Sequence, residues 1–427
     1  MKGFVVAADR EMASRGFYWL WGAQTVSMVG SITTAFALPL IAALVLNASP
    51  WSMGILAAAA EASVLVFGLS IGVWADRFEH LRLMHMANVA RFVLVLCVPI
   101  LYVLDHLNMA ILIAITFLVG ALSMLYDAAV GAFLPRLLGG RGLAKANSWN
   151  EASESTGDVA GPGFAGLLVQ IAGAPMAMLL DAVSYVVSSV LLTRLPAVPP
   201  KEDDRKDDEK GHLAAVRSGL RALRRFPYQL PLLLASTQFN FFGSMFGAVI
   251  ILFCVRDLGM NAGTLGALAM LGGVAGLIAA WMGQRLTAKL GLGRTLILCY
   301  FAPAVTALPI GFMGEAPFPL AIAAIALSQF FWPFWIVIMR VNSVTLRQTV
   351  VPNRYLARVG TCMGFFSTGI MTIGALIGGA LGSSPLGMGG TIILSSVGLG
   401  TAAVWLWYSS VRELEVMPAA DMAAEPA

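Results

Sequence analysis

The chain has 427 residues, of which 58% are hydrophobic and only 12% are charged. Soluble domains carry about 25% charged residues, so this composition excludes an ordinary soluble protein and indicates a membrane protein. The net charge of +4 is modest and gives no support to nucleic-acid binding.

Apolar segments of membrane-spanning length recur along the whole chain. A helix of about 20 apolar residues crosses a hydrocarbon core of about 30 Å. The first apolar run is too long for the core of a cleavable signal peptide. We therefore predict an all-α membrane protein with twelve transmembrane helices. The predicted spans are 17–46, 51–75, 82–104, 109–135, 146–172, 175–195, 229–254, 262–288, 294–313, 317–346, 355–382 and 388–410.

Lysine and arginine are concentrated in every second loop. If the N-terminus is cytoplasmic, the opposite side shows only Arg256. Basic residues near span ends resist translocation, so this bias predicts the orientation. We expect a multi-pass protein of the cell membrane with both termini and the long central loop in the cytoplasm.

The long central loop differs from the short turns elsewhere. Its charged run 201–210 cannot bury itself and predicts a flexible linker. Apolar residues at three- and four-residue spacing from Leu213 to Leu223, with arginines between them, then predict a basic amphipathic helix on the inner leaflet. A helix docked only on protein is the alternative. The predicted divisions are an N-terminal arm 1–16, a first lobe 17–195, the linker 196–228, a second lobe 229–412 and a C-terminal tail 413–427.

The two halves of the chain look like copies of each other. Gly161 and Gly374 are 213 positions apart, and so are Gly166 and Gly379. Six spans, a loop and six similar spans are the plan of a two-lobed transporter. We therefore expect two pseudo-symmetric six-helix lobes.

A loop motif follows the second span. Small residues end that helix, and a carboxylate and two arginines come after them. This resembles the signature between the second and third spans of the major facilitator superfamily, although Glu79 and Leu81 depart from it. The resemblance implies a latch that holds the lobes together when the transporter opens outward. The latch residues are Gly72, Asp76, Arg77 and Arg82.

The fifth span carries glycines at four- and five-residue spacing around a proline. Glycines let helices approach closely, and proline removes a backbone donor. Gly157, Gly161, Pro162 and Gly166 resemble the antiporter motif of the same superfamily, with Ala165 as a departure. In that family the motif marks exporters more than importers.

The first span narrows the resemblance further. Residues 17–31 are similar to the enterobactin-exporter and macrolide-efflux branch. So are Leu134–Arg136 with Ala146–Ser148, and their second-half echo from Arg347 to Val359. Members of that branch are proton-coupled exporters of bulky, amphipathic small molecules. The resemblance implies multidrug efflux by alternating access.

Charges inside the spans are expensive and therefore suggest function. Arg91, Asp127 and Glu154 each lie nine residues from a basic residue at a cytoplasmic end. At 1.5 Å per residue this is about 13 Å of depth. Arg340 is the repeat counterpart of Asp127, 213 positions later, and would face it across the central cavity.

Two interpretations of these charges compete. One is a permanent structural ion pair between Arg91 and either Asp127 or Glu154. The other is a carboxylate, first of all Asp127, that binds and releases a proton during transport. Asp158 and Glu61 are further candidates for the proton site, and Asp181, like Glu61, lies toward the outer side of its span.

Aromatic and amide side chains predict a substrate cavity. A mostly apolar pocket with a few polar groups suits drug-sized amphiphiles. Packing or lipid contact is the alternative for the aromatic residues. The candidates are Gln24, Gln238, Asn240, Trp332 and Trp335.

Other classes of function are less well supported by the sequence. The four histidines form no HExxH motif, so we expect no catalytic residues, no enzyme and no metal site. No GxxxxGK[ST] phosphate loop occurs, which argues against an ATP-driven pump. An importer or facilitator of a metabolite or lipid is the alternative transporter. We expect a monomer whose partners are a small-molecule substrate, protons or Na⁺, and membrane lipids, with no cofactor.

Overall fold

The computed structural model describes residues 2–68, 71, 78–138, 142–196, 221, 223 and 225–418. At positions 2–14, 144, 155, 158, 353–354 and 357–358 it describes the backbone only. These ranges contain twelve long helices. They are α1 (Lys2–Leu40), α2 (Pro50–Phe67), α3 (His80–Val103), α4 (Met109–Leu137), α5 (Leu143–Ala172), α6 (Leu179–Leu192), α7 (Gln229–Arg256), α8 (Ala262–Leu290), α9 (Leu292–Ala307), α10 (Phe318–Val350), α11 (Asn353–Gly382) and α12 (Gly387–Thr401).

Several helix ends differ from the predicted spans. The first helix begins at Lys2, so residues 2–16 of the predicted arm belong to α1. A π-helical turn, Ile41–Val45, extends α1, and a 3₁₀ segment, Leu308–Glu315, extends α9. The predicted sixth span is divided into a short helix, Ala174–Ala177, and α6, and a short helix, Ala403–Trp407, follows α12.

Eleven helical segments in the described ranges are long and apolar enough to cross a membrane. α5, which the sequence predicts as the span 146–172, has side chains outside the described part of the structure at positions 144, 155 and 158. Its described side chains include Lys145, Glu151 and Glu154. Because such charges are costly in lipid, α5 must turn them toward protein or water.

Polar side chains cap the starts of α2, α4 and α8, which lie on the predicted outer side. The Asn108 side chain accepts a hydrogen bond from the Ile111 N–H at 3.0 Å, and the Asn261 side chain accepts one from the Thr264 N–H at 2.8 Å. Ser49 caps α2 in the same way. These caps satisfy backbone donors that have no partner within the helix.

The end of the linker docks on the second lobe. Leu223 is fully buried and packs in one cluster with Phe226, Leu233 and Val359. The last apolar residue of the predicted amphipathic helix therefore packs on protein. Residues 197–220 lie outside the described part of the chain, so the leaflet helix predicted there stays a prediction.

The two six-helix lobes pack against each other along two helix pairs, α2 with α11 and α5 with α8. The contacts that anchor these pairs lie at the predicted outer ends. The Trp51 N–H donates to Ser383 Oγ at 2.8 Å, and the Gly263 N–H donates to Gln170 Oε1 at 3.1 Å. We interpret this as a conformation that is closed on the predicted outer side.

Candidate functional site

A polar cavity of about 260 Å³ lies inside the first lobe, between α1, α3, α4 and α5. It brings together three of the intramembrane charges that the sequence placed at one depth, Arg91, Asp127 and Glu154, and it adds Gln24. Every lining side chain except Met28 carries a polar atom. The remaining lining residues are Thr25, Ser27, Ser31, Ser123, Tyr126, Asn150 and Ser153.

Arg91 is held rigidly in the wall of this cavity. Its guanidinium carbon lies 4.5 Å from the centroid of the Tyr126 ring and 4.5 Å from that of the Tyr185 ring. The guanidinium also donates to Asn88 Oδ1 and to Ser123 Oγ, the latter at 3.3 Å. Two aromatic faces attract a cation and fix its plane. The side chain is only 3% exposed, so this cation is both buried and oriented.

The two carboxylates of the cavity are not locked onto Arg91. Within the described residues, its polar and ring contacts are with Asn88, Ser123 and the two tyrosines. Asp127 and Glu154 are instead exposed at the cavity. Arg91 therefore forms no ion pair with either carboxylate in the described part of the structure. Asp127 is accessible to water and to a ligand, whereas Glu154 has an interaction partner of its own.

An aromatic groove of about 790 Å³ adjoins the polar cavity, between α1 and α5. The two spaces share Thr25, Met28 and Ser153 in their walls. The Trp21 Nε1–H donates to Ser153 Oγ at 2.9 Å, and the Trp21 and Trp149 rings meet edge to face at 5.0 Å. The polar cavity and the aromatic groove are thus neighbours, separated by the side chains that line both.

The glycine motif of α5 faces two different helices. A Cβ added at Gly157 or at Gly161 would lie within 3.0 Å of Met28 or Ile32 side-chain atoms on α1. A Cβ added at Gly166 would lie 2.6 Å from Gly266 Cα on α8. Real Cβ atoms do not approach so closely, so α5 packs tightly on α1 within the first lobe and on α8 across the lobes. Pro162 lies inside the helix between these contacts.

The predicted residues of the second lobe do not line the polar cavity. Gln238 donates to Gly398 O and accepts from Trp405 Nε1, while Asn240 donates to Ser367. Trp332 packs between Phe239 and Phe246, and Trp335 packs against Phe334. Arg340 is exposed on α10. The structure therefore brings Gln24 to the cavity and places the other four substrate candidates in the packing of the second lobe.

The remaining candidates are only partly described. Glu61 is half-buried on α2, and Arg82 is exposed near the start of α3. The backbone of Asp158 lies in α5, but its side chain is outside the described part of the structure. The latch residues Gly72, Asp76 and Arg77 also lie outside the described residues, so their role stays a prediction.

Sequence reasoning gave too little weight to Asp181. This residue is fully buried, and its carboxylate accepts hydrogen bonds from Thr34 and Ser184. A signal was present, because Asp181 is the single charged residue in the sequence between 174 and 193. The tyrosines around Arg91 were also missed, although Tyr126 directly precedes Asp127 in the sequence.

Known proteins resemble this chain along most of its length. The Major Facilitator Superfamily profile matches residues 20–379. The uncharacterized MFS-type transporter YfiS of Bacillus subtilis (strain 168) is 25% identical over 382 residues, which cover 86% of this chain and 87% of YfiS.

Solved structures share the fold at low sequence identity. A bacterial homologue of the iron transporter ferroportin, in an inward-facing state, has a TM-score of 0.72 at 15% identity and covers 92% of this chain and 98% of its own. A D-xylose–proton symporter has a TM-score of 0.65 at 14% identity, with 95% and 98% covered. With its twelve helices in two lobes and a family match over residues 20–379, the chain belongs to the Major Facilitator Superfamily of membrane transporters.

Proposed function

We propose that the protein is a proton-coupled exporter of amphipathic small molecules, working by alternating access of its two lobes. One observation carries this proposal. A buried, immobilised cation, Arg91, shares a cavity with two exposed carboxylates, Asp127 and Glu154, and that cavity adjoins an aromatic groove. Charges at this depth are costly unless they serve transport.

In this proposal the two carboxylates couple proton movement to substrate transport. Antiport needs a group that binds a proton in one arrangement of the lobes and releases it in the other. Asp127 suits this role because it lines the cavity and directly follows Tyr126, whose ring contacts the Arg91 guanidinium. A small change in the distance between Asp127 and Arg91 changes how strongly the proton is bound. Glu154 lies in the same wall and is the neighbouring acid.

The two adjoining spaces suggest the substrate class. The groove offers Trp21, Trp149 and Phe164, and the cavity offers amides, hydroxyls and acids. An amphiphile can place its apolar body in the first and its polar or cationic group in the second. A macrolide, a siderophore-like molecule or a cationic dye has this character, so the proposed activity is multidrug efflux.

The α5 glycine motif favours export, because it resembles the motif of antiporters. An importer or facilitator is the alternative, and a sugar–proton symporter of the same fold is among the structural neighbours. We further propose a monomer in the cell membrane, with both termini and the linker 196–228 cytoplasmic, since the basic residues favour that side.

A dye-accumulation assay tests the proposal. Cells that express the protein are loaded with ethidium, and the dye retained is measured with and without a protonophore. We expect lower retention than in cells without the protein, and we expect the protonophore to abolish the difference. An importer would raise retention instead. If cells with and without the protein retain equal amounts of ethidium, and also equal amounts of labelled erythromycin, the proposed substrate class is contradicted.

A further inference from the structure

We propose that Asp181 is a second proton-binding carboxylate and that a proton passes between Asp181 and Asp127 around the Arg91 guanidinium. This inference rests on the proposed proton coupling and deepens it. The step transfers one proton from the Asp181 carboxyl to the Asp127 carboxylate, or the reverse. No other bond changes.

The first observation is the burial of Asp181. Its residue exposure is 0%, and Thr34 Oγ1 donates to its Oδ2 at 2.5 Å while Ser184 Oγ donates to its Oδ1 at 3.2 Å. No cation of a described side chain lies within ion-pair distance of Asp181. An ionised carboxylate in such a place is costly, whereas a protonated one can donate to Ser184 Oγ when the single Ser184 hydroxyl hydrogen goes to the Asp181 backbone O, at 2.8 Å. The surroundings therefore suit a proton-carrying group.

The second observation is that the packing is built around this carboxylate. Gly30 of α1 lies directly against Asp181 and Ser184 of α6. A Cβ at Gly30 would lie 2.5 Å from Asp181 Oδ1 and 2.8 Å from Asp181 Cα. Only glycine leaves room for the acid and its hydroxyl partner at this crossing of two helices.

The third observation is a second cavity, of about 350 Å³, into which Asp181 faces. Among the described residues that line it, Asp181 is the single charged one. The cavity shares Ser31 and Ser123 with the polar cavity that holds Asp127, so the two spaces adjoin. Its wall includes Gly247, Ala248 and Ile251 of α7, which belong to the second lobe, so movement of the lobes must change this space.

The fourth observation is the position of Arg91 beside residues that neighbour both acids. Its guanidinium carbon lies 4.5 Å from the ring centroid of Tyr126, the residue before Asp127, and 4.5 Å from that of Tyr185, one helical turn after Asp181. The Arg91 charge acts electrostatically on both carboxylates. A single cation that attracts two acids favours one ionised acid at a time, which is the condition for passing a proton between them.

Few titratable or charged groups surround Asp181. Arg91 faces it from α3 and Tyr185 from α6, while α1 supplies the uncharged Thr34. The described lining residues from α2, α4 and α7 carry no titratable group. The Tyr185 and Ser31 hydroxyls lie 3.2 Å apart at the boundary of the two cavities. These two hydroxyls therefore lie on the route that we propose for the proton.

Infrared spectroscopy tests the inference without any transport assay. The purified protein in lipid is titrated with alkali, and the carbonyl band of protonated carboxylic acids is followed in the wild type, in Asp181→Asn and in Asp127→Asn. We expect Asp181→Asn to remove one component of the wild-type protonated-acid band, and Asp127→Asn to retain that component with a shifted titration. A wild-type spectrum that Asp181→Asn leaves unchanged at every pH would overturn the proposal.

Two further measurements separate this inference from the proposed function. Thr34→Val removes one hydrogen bond without a charge change and should shift the same band, even if Asp181→Asn unfolds. In proteoliposomes, Asp181→Asn should lose ethidium transport driven by a proton gradient but keep downhill ethidium movement. If the wild type itself ignores the gradient, proton coupling fails whatever the infrared result. If gradient-driven transport by Asp181→Asn equals that of the wild type, Asp181 is structural.

Discussion

Gly166 of α5 and Gly266 of α8 meet backbone to backbone across the two lobes, and a Cβ on either would lie within 2.7 Å of the other's Cα. Gly54 of α2 and Gly379 of α11 repeat this contact on the opposite side of the molecule, with Cβ distances of 2.6 Å and 2.7 Å. Gly166 and Gly379 are also counterparts in the sequence repeat. The pseudo-symmetry of the sequence is thus expressed as two matched contacts that close the predicted outer side.

Gly166→Ala should disfavour the closed outer side, because an added methyl group forces the helices apart. Overpacking of this kind costs about 1–3 kcal/mol. We expect weaker transport and less cross-linking between cysteines placed at Trp51 and Ser383, whose backbone and side chain are hydrogen-bonded here. Gly131→Ala is the matched control, since nothing lies within 4 Å of a Cβ at Gly131. Equal cross-linking in the two variants would contradict this role for Gly166.

Asp127→Asn should block gradient-driven efflux while substrate binding persists, because the variant cannot exchange a proton. The pH dependence of ethidium efflux should flatten. Glu154→Gln is the control, as it neutralises the neighbouring acid of the same cavity, and it should reduce transport less. Normal pumping by Asp127→Asn together with loss in Glu154→Gln would reverse the two roles.

Arg91→Lys keeps the charge but removes the planar group that contacts the Tyr126 and Tyr185 rings. A desolvated cation–π contact contributes about 2 kcal/mol, and lysine cannot reproduce both contacts with one flat face. We expect a lower thermal-unfolding midpoint in detergent and impaired proton-driven transport. Tyr126→Phe retains the ring and should keep most of the wild-type midpoint. An unchanged midpoint for Arg91→Lys would show that the stacking adds little.

The predicted topology is tested by labelling cysteines from outside the cell. Cysteines at Ser14, Gly211 and Ala423 should resist an impermeant thiol reagent in intact cells, because basic residues favour the cytoplasmic side for both termini and the linker. They should react after the membrane is made permeable, which shows that they are accessible. Labelling of any one of them in intact cells would reverse the orientation at that segment.

The sequence predicted the twelve-helix fold well, because the length of each apolar segment can be read from that part of the sequence alone. It also predicted that Arg91, Asp127 and Glu154 share a level, since each lies at a similar distance from a helix end. The partners within that level depend on helix rotation and packing. Spacing along the chain therefore indicated neither the two tyrosines on Arg91 nor the hydroxyls on Asp181.

The second lobe also shows that residue types alone do not predict which side chains line a cavity. Gln238, Asn240 and Trp332 have the residue types of a binding cavity, but the structure uses them in contacts between helices. Polar side chains in lipid need partners, and a neighbouring helix satisfies them as well as a ligand does. Residue type alone cannot separate these two uses, whereas the contacts in the structure do.

The central claim is that the protein exchanges a proton for its substrate. The most direct test is proton movement in proteoliposomes that contain a pH-sensitive dye and no imposed proton gradient. Ethidium added to one side should drive protons in the direction opposite to its own movement, and Asp127→Asn should abolish this proton flux. Proton flux in the same direction as ethidium, or ethidium transport without any proton flux, would contradict the account.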